Sequence, residues 1–221
     1  MKSFKQFLFE IFFVGNKKEK GFDAKLAITD YIKHLKKSIN LEPTPDIYDT
    51  YEILNAIMNE DINKIKDLSL TMNKHFNINN FIHIQPPNYD VTNFKLTPLM
   101  IASMFQKNKS ISQLIKSGAK LESKDDTGNT ALSLVAMEDN SLKTIKELVN
   151  IGANINVVNK NGDSIVGLAL DGGHFDEAKY LLKQGAKVFY VEIPTFEEKL
   201  NDKIINLIAN TEQIVDEKHW G

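Results

Sequence analysis

The sequence predicts a mainly α-helical solenoid of stacked helix–turn–helix units joined by short β-hairpin fingers. Three observations predict it. First, the segments starting at Thr97, Thr130 and Ser164 repeat one another, and their starts lie 33 and 34 residues apart. Second, each ends in Gly-Ala (Gly118-Ala119, Gly152-Ala153, Gly185-Ala186), again 34 and 33 apart. Third, the spacers between them carry turn residues, Asp125-Asp126-Thr127-Gly128 and Asn159-Lys160-Asn161-Gly162. A fixed period of this size signals supersecondary units, each burying its apolar face on its neighbour.

Residues 3–14 read as a helix, because Phe4, Phe7, Leu8, Ile11 and Phe12 recur on one face of a 3.6-residue period. A second helix is expected from about Asp23, as N-cap, to Ile39. Its apolar stripe is Ala24, Ala27, Ile28, Tyr31, Ile32, Leu35 and Ile39. Together they form a helical hairpin over 1–42. It would cap the open end of the stack or, through the Phe-rich residues 3–14, lie on a membrane surface.

Asn40 to Asp49, with Pro43 and Pro45, reads as a linker. Tyr51 to Ala56 and then Ile62, Ile65 and Leu68 suggest a degenerate first repeat over 48–79. A lengthened β-hairpin finger is predicted at 80–96, where Phe81–Gln85 and Val91–Leu96 flank the turn cluster Pro86-Pro87-Asn88-Tyr89-Asp90. Loops of this length are uncommon and often contact partners, so Tyr89 and Phe94 are candidate contact residues.

The clear repeats occupy 94–123, 127–157 and 161–190. In each, Thr97, Thr130 or Ser164 starts the first helix, its hydroxyl free to satisfy open N–H groups. Pro98 suits the first turn, where its missing N–H costs nothing. Leu99, Leu132 and Val166 share one buried position, and Ala102, Val135 and Ala169 the close helix–helix contact. Gly118, Gly152 and Gly185 end the second helices in the left-handed region. The middle repeat has one extra residue between Thr130 and Asn140, which should bulge its inter-helix turn. Val188–Val191 could be a last finger strand. A cap helix with an acidic tail is expected within 191–221.

Leu96 to Val188, and above all Thr97-Pro98-Leu99-Met100-Ile101-Ala102, resembles the ankyrin repeat, whose pattern is roughly D-x-x-G-x-T-P-L-H-x-A-A-x-x-G-H with an apolar helix ending G-A-x-x-N. The resemblance extends over about 46–190 and implies an ankyrin-repeat solenoid that recognises another protein without catalysis. Family ligands usually touch finger tips and exposed first-helix positions. Here these are Asp125, Asp126 and Asn129 at one tip, Lys160, Asn161 and Asp163 at the next, and Met104, Phe105, Met137 and Glu138 at the helix ends. Met104 and Phe105 could equally pack under the neighbouring repeat.

Composition narrows function further. The chain has 221 residues, 27 Lys plus Arg against 29 Asp plus Glu, and no Cys, which excludes disulfides, thiolate zinc sites and cysteine nucleophiles. Every basic residue is Lys. Lacking the guanidinium fork that reads guanine edges, and near neutrality, the chain is not expected to bind nucleic acid. No nucleophile elbow, phosphate loop or His-Glu-x-x-His metal motif occurs. No cofactor, metal or catalytic residue is expected. A monomer is expected, cytoplasmic or secreted into a host cell without a cleaved signal peptide. The Lys/Asn/Ile-rich composition resembles ankyrin proteins of intracellular bacteria.

Overall fold

A computed structural model describes residues 24–40, 45–71, 77–84 and 94–187. The expected helix at 3–14, the residues flanking Tyr89 in the finger, the strand at 188–191 and the cap helix within 191–221 lie outside the described residues.

The elements in chain order are α1 (Ala24–Ile39), α2 (Pro45–Met58), α3 (Ile62–Thr71), β1 (Ile82–Ile84), β2 (Phe94–Leu96), α4 (Pro98–Met104), α5 (Asn108–Lys116), α6 (Ala131–Ala136), α7 (Leu142–Asn150), α8 (Ile165–Asp171) and α9 (Phe175–Lys183). The pairs α2/α3, α4/α5, α6/α7 and α8/α9 are four helical hairpins. Their first helices stack in sequence order, α2 on α4, α4 on α6 and α6 on α8.

Local chemistry sets these boundaries. The Thr97 and Thr130 hydroxyls accept from the Met100 and Ser133 amides at 3.3 Å, and Ser164 from the Gly167 amide at 3.0 Å. Leu99 and Leu132 are 1% exposed and Val166 0%, while Ala102, Val135 and Ala169 are all 0%, the small side chains permitting close helix approach. Gly118, Gly152 and Gly185 take φ of 93°, 100° and 91°, as a left-handed helix end requires.

The first repeat is shorter in pattern but keeps the register. The left-handed residue of the inter-helix turn is Glu60 in the first repeat, then Gln106, Asn140 and Gly173. Counting back from Glu60 as from Gln106 places Tyr51 opposite Thr97, as the sequence suggests. In the middle repeat the left-handed residue falls one position further from its cap, Thr130 to Asn140, than in the neighbouring repeats. The extra residue therefore sits in the turn.

The linker expectation fails at Pro45. This proline opens α2, so the helix starts well before Tyr51. A proline is tolerated in a first helical turn, and Asp46 beside it suits the positive end of the helix dipole. The Lys64 ammonium, 2.6 Å from Glu52, ties α3 to α2, and that hydrogen bond raises the Lys64 pKa.

Successive repeats are also stitched by one recurring polar bond. The last position of the G-A-x-x-N pattern accepts from the backbone of the following repeat. Asn79 accepts from the Lys120 amide at 2.6 Å, Glu122 from Asn154 at 2.9 Å and Asn156 from Lys187 at 2.8 Å. Asn79 thus holds its repeat position although no Gly-Ala precedes it in the sequence.

Candidate interaction surface

The candidate surface is built from the fingers. The first clear tip folds around Asp125. Its Oδ1 accepts from the Thr127 amide at 2.9 Å, the Thr127 hydroxyl at 2.7 Å and the Asn129 amide at 2.8 Å. The next tip folds around Asn159, whose Oδ1 accepts from the Asn161 amide at 2.9 Å and the Asp163 amide at 3.0 Å. Gly128 and Gly162 close the turns at φ 85° and 86°. The tips join directly: the Lys160 amide donates to the Thr127 carbonyl at 2.9 Å, and Lys160 Nζ to the Asp126 carbonyl at 2.8 Å.

This geometry sorts the residues predicted from sequence. Asp126, Lys160 and Asn161 are exposed. Asp125 and Asn129 are buried and spent on the turn, so neither presents a free contact. Burial raises the Asp125 pKa, against the opposing effect of its hydrogen bonds. Asp163 is half-buried and accepts from Asn159 Nδ2 at 3.0 Å.

The first-helix positions differ more from expectation. Met104 is 6% exposed, and Phe105 and Met137 pack half-buried against the core. These side chains therefore serve the stack. Every residue of α4 and α6 is buried, as are Ile165 to Leu170 of α8. Glu138 is engaged as well: its carboxylate lies 2.6 Å from the Lys25 ammonium of α1. That pairing had no periodic signal in the sequence, since it joins the N-terminal helix to the turn after α6.

The long finger is a hairpin at its base. β1 and β2 pair antiparallel with Ile82 opposite Leu96 and Ile84 opposite Phe94. Those four side chains point inward and are buried, so Phe94, expected as a contact, is a core residue. The alternation of a short strand explains it: Phe94 and Leu96 share a face, and that face meets the stack. Tyr89 lies outside the described residues.

Among the described residues, no group of three or more His, Asp or Glu is placed to hold a metal ion. No described helix is long and apolar enough to cross a membrane.

Paired antiparallel helices, left-handed turn residues and outward fingers define a helical-repeat solenoid of the kind that works by presenting a surface. The family model for ankyrin repeats, in three copies, matches residues 53–159. A protein of Fowlpox virus (strain NVSL) named as an ankyrin repeat protein is 43% identical over 68 residues, which cover 30% of this chain and 20% of that relative. Residues 53–159 of the chain are thus similar to ankyrin repeats, in keeping with the stacked hairpins described above. The family generally mediates protein–protein interaction and is generally non-catalytic. The relative is viral, whereas the sequence reading expects a likeness to ankyrin proteins of intracellular bacteria. This chain spans one fifth of the relative's length.

Proposed function

We propose that the chain binds a partner protein along its finger row, centred on Asp126, Lys160 and Asn161. The observation that carries this is the division of exposure. The first helices give their side chains to the core, whereas these three tip residues stay in solvent on turns held rigid from below. Hydrogen-bonded turns with exposed polar tips lose little conformational entropy on binding. Tyr89, set in sequence between the two strands of the long finger, is a further candidate contact on sequence grounds.

The test is affinity capture from cells with the full chain, followed by identification of the captured proteins. The same capture is then repeated with an Asp126→Ala/Lys160→Ala/Asn161→Ala chain shown to keep its helical circular dichroism. At least a tenfold loss of the specific partner is expected. Undiminished capture by the folded triple variant rules the finger row out.

A further inference from the structure

The first-helix side of an ankyrin stack is a groove wall, yet here it has no open stripe. All of α4 and α6 and Ile165–Leu170 of α8 are buried. Among the described elements, α1 reaches that side. It packs on α2 and on β1 of the long finger. Its Lys25, near the other end, reaches Glu138 in the turn after α6, two repeats further along. A helix of 16 residues is about 24 Å long, and stacked helices lie about 8–10 Å apart, so α1 has the length to run from the third repeat back to the first. Its inward face is apolar, with Ala27 and Ile28 at 0% and Leu35 at 4% exposure, and Tyr31 and Ile32 half-buried. Its outward face carries exposed Lys33, His34, Lys36 and Lys37.

We propose that α1 is an intramolecular ligand of the stack: it occupies a helix-binding groove, and a partner presenting an amphipathic helix with a basic residue for Glu138 takes the groove by displacing it. The arrangement is a helix laid by its apolar stripe into an apolar groove. Short connection to α2 through residues 40–44 keeps α1 at high effective concentration, so the groove stays filled until a competitor arrives. The Lys25–Glu138 pair, with side chains 33% and 21% exposed, fixes direction and register more than it adds strength. This goes beyond the finger-row reading and stands or falls without it.

The test uses the full chain and a synthetic peptide of residues 24–40. Native-state hydrogen exchange on the unaltered chain comes first: amides of 24–39 should exchange at least tenfold faster than those of 98–104 and 131–136. Lys25→Glu should widen that gap several-fold, and Lys25→Glu/Glu138→Lys should close it again. Ile28→Asp, which puts a charge on the buried face of α1, should let the chain bind the peptide in trans. The unaltered chain should bind it at least tenfold more weakly. A Lys25→Cys/Glu138→Cys chain, clean to cross-link with a short bismaleimide because the sequence has no other Cys, should not bind it. Three results overturn the proposal: α1 exchanging only with global unfolding, no peptide binding by an Ile28→Asp chain that keeps its helical signal, or equal binding by the cross-linked and Ile28→Asp chains. If Ile28→Asp unfolds the stack, the exchange measurement on the unaltered chain still decides.

Discussion

The two finger tips Asp125–Asn129 and Asn159–Asp163 have the same backbone course but differ in the residue that organises it. One turn is built on a buried carboxylate, the other on a neutral amide. In both, the first side chain accepts from the amides two and four residues on. Asp125 takes a third bond, from the Thr127 hydroxyl, and serves groups that are themselves buried. Asn159 serves Asn161, which is exposed, and Asp163, which is half-buried. The second tip packs on the first, and the residues it serves, Asn161 and Asp163, are the more exposed although Asn159 itself is buried. The same turn is therefore a packed element in one repeat and a surface element in the next.

Truncating the organiser should separate the tips most. Asp125→Ala leaves buried N–H groups without an acceptor and should cost about 3 kcal/mol, against about 1–2 for Asn159→Ala, where water can reach the freed amides. Chemical denaturation of the two variants reads the difference, and equal losses would contradict the burial contrast. The closing glycines come next. A Cβ at Gly128 would lie 3.0 Å from the Lys160 amide nitrogen, whereas nothing lies within 4 Å of one at Gly162. Both changes strain a left-handed backbone by about 1–2 kcal/mol. Gly128→Ala should therefore melt lower than Gly162→Ala by several degrees.

The acids near the tips should give an opposite, pH-dependent effect. Asp171, at the end of α8, has its pKa pushed up to about 6, first by burial and then by the charge of Asp163. A carboxyl raised in the folded state binds its proton more tightly there than when unfolded. Its contribution is full below the unfolded value near 4 and is lost as pH rises through about 6. Asp171→Asn should accordingly stabilise the chain at pH 7.5 by about 1 kcal/mol, after discounting for partial exposure, and by nothing near pH 4. Melting curves at the two pH values check this. Lys160→Ala should have the smallest effect, about 0.5 kcal/mol or less, because its ammonium bond to the Asp126 carbonyl is exposed and its backbone bond to Thr127 survives.

Periodic features were legible in the sequence. The helix caps, the terminal glycines, the turn glycines and the buried positions at Leu99, Leu132 and Val166 all recur at the repeat spacing, and the structure places them accordingly. The extra residue after Thr130 was legible for the same reason. What the pattern could not supply was orientation. Family positions mark Met104 as a contact or a packed residue, and the length of the finger marks Phe94 as a contact, but neither signal says which way a side chain points: both are buried. Asp125 and Asn129 differ from expectation for another reason. Polar residues at a tip look solvent-directed in sequence, yet the Asp125 carboxylate turns inward to accept backbone amides, and the Asn129 amide donates to the Thr127 hydroxyl and accepts from Asn159 Nδ2. The start of α2 is not legible in sequence, because a proline such as Pro45 suits either a linker or a first helical turn and packing distinguishes the two.

The Lys25–Glu138 pair has a consequence in time as well as in space. Hydrogen bonds between repeats link each unit to the next, as Ser110 does to Ile57 and Gln106 to Asp139. Such nearest-neighbour contacts close small loops and let a solenoid zip up quickly from any nucleus. The bridge from α1 to the third repeat closes a far larger loop, and its binding site exists only after three units have stacked. Docking of α1 is thus the last step of assembly, although α1 precedes all four helical hairpins in the sequence.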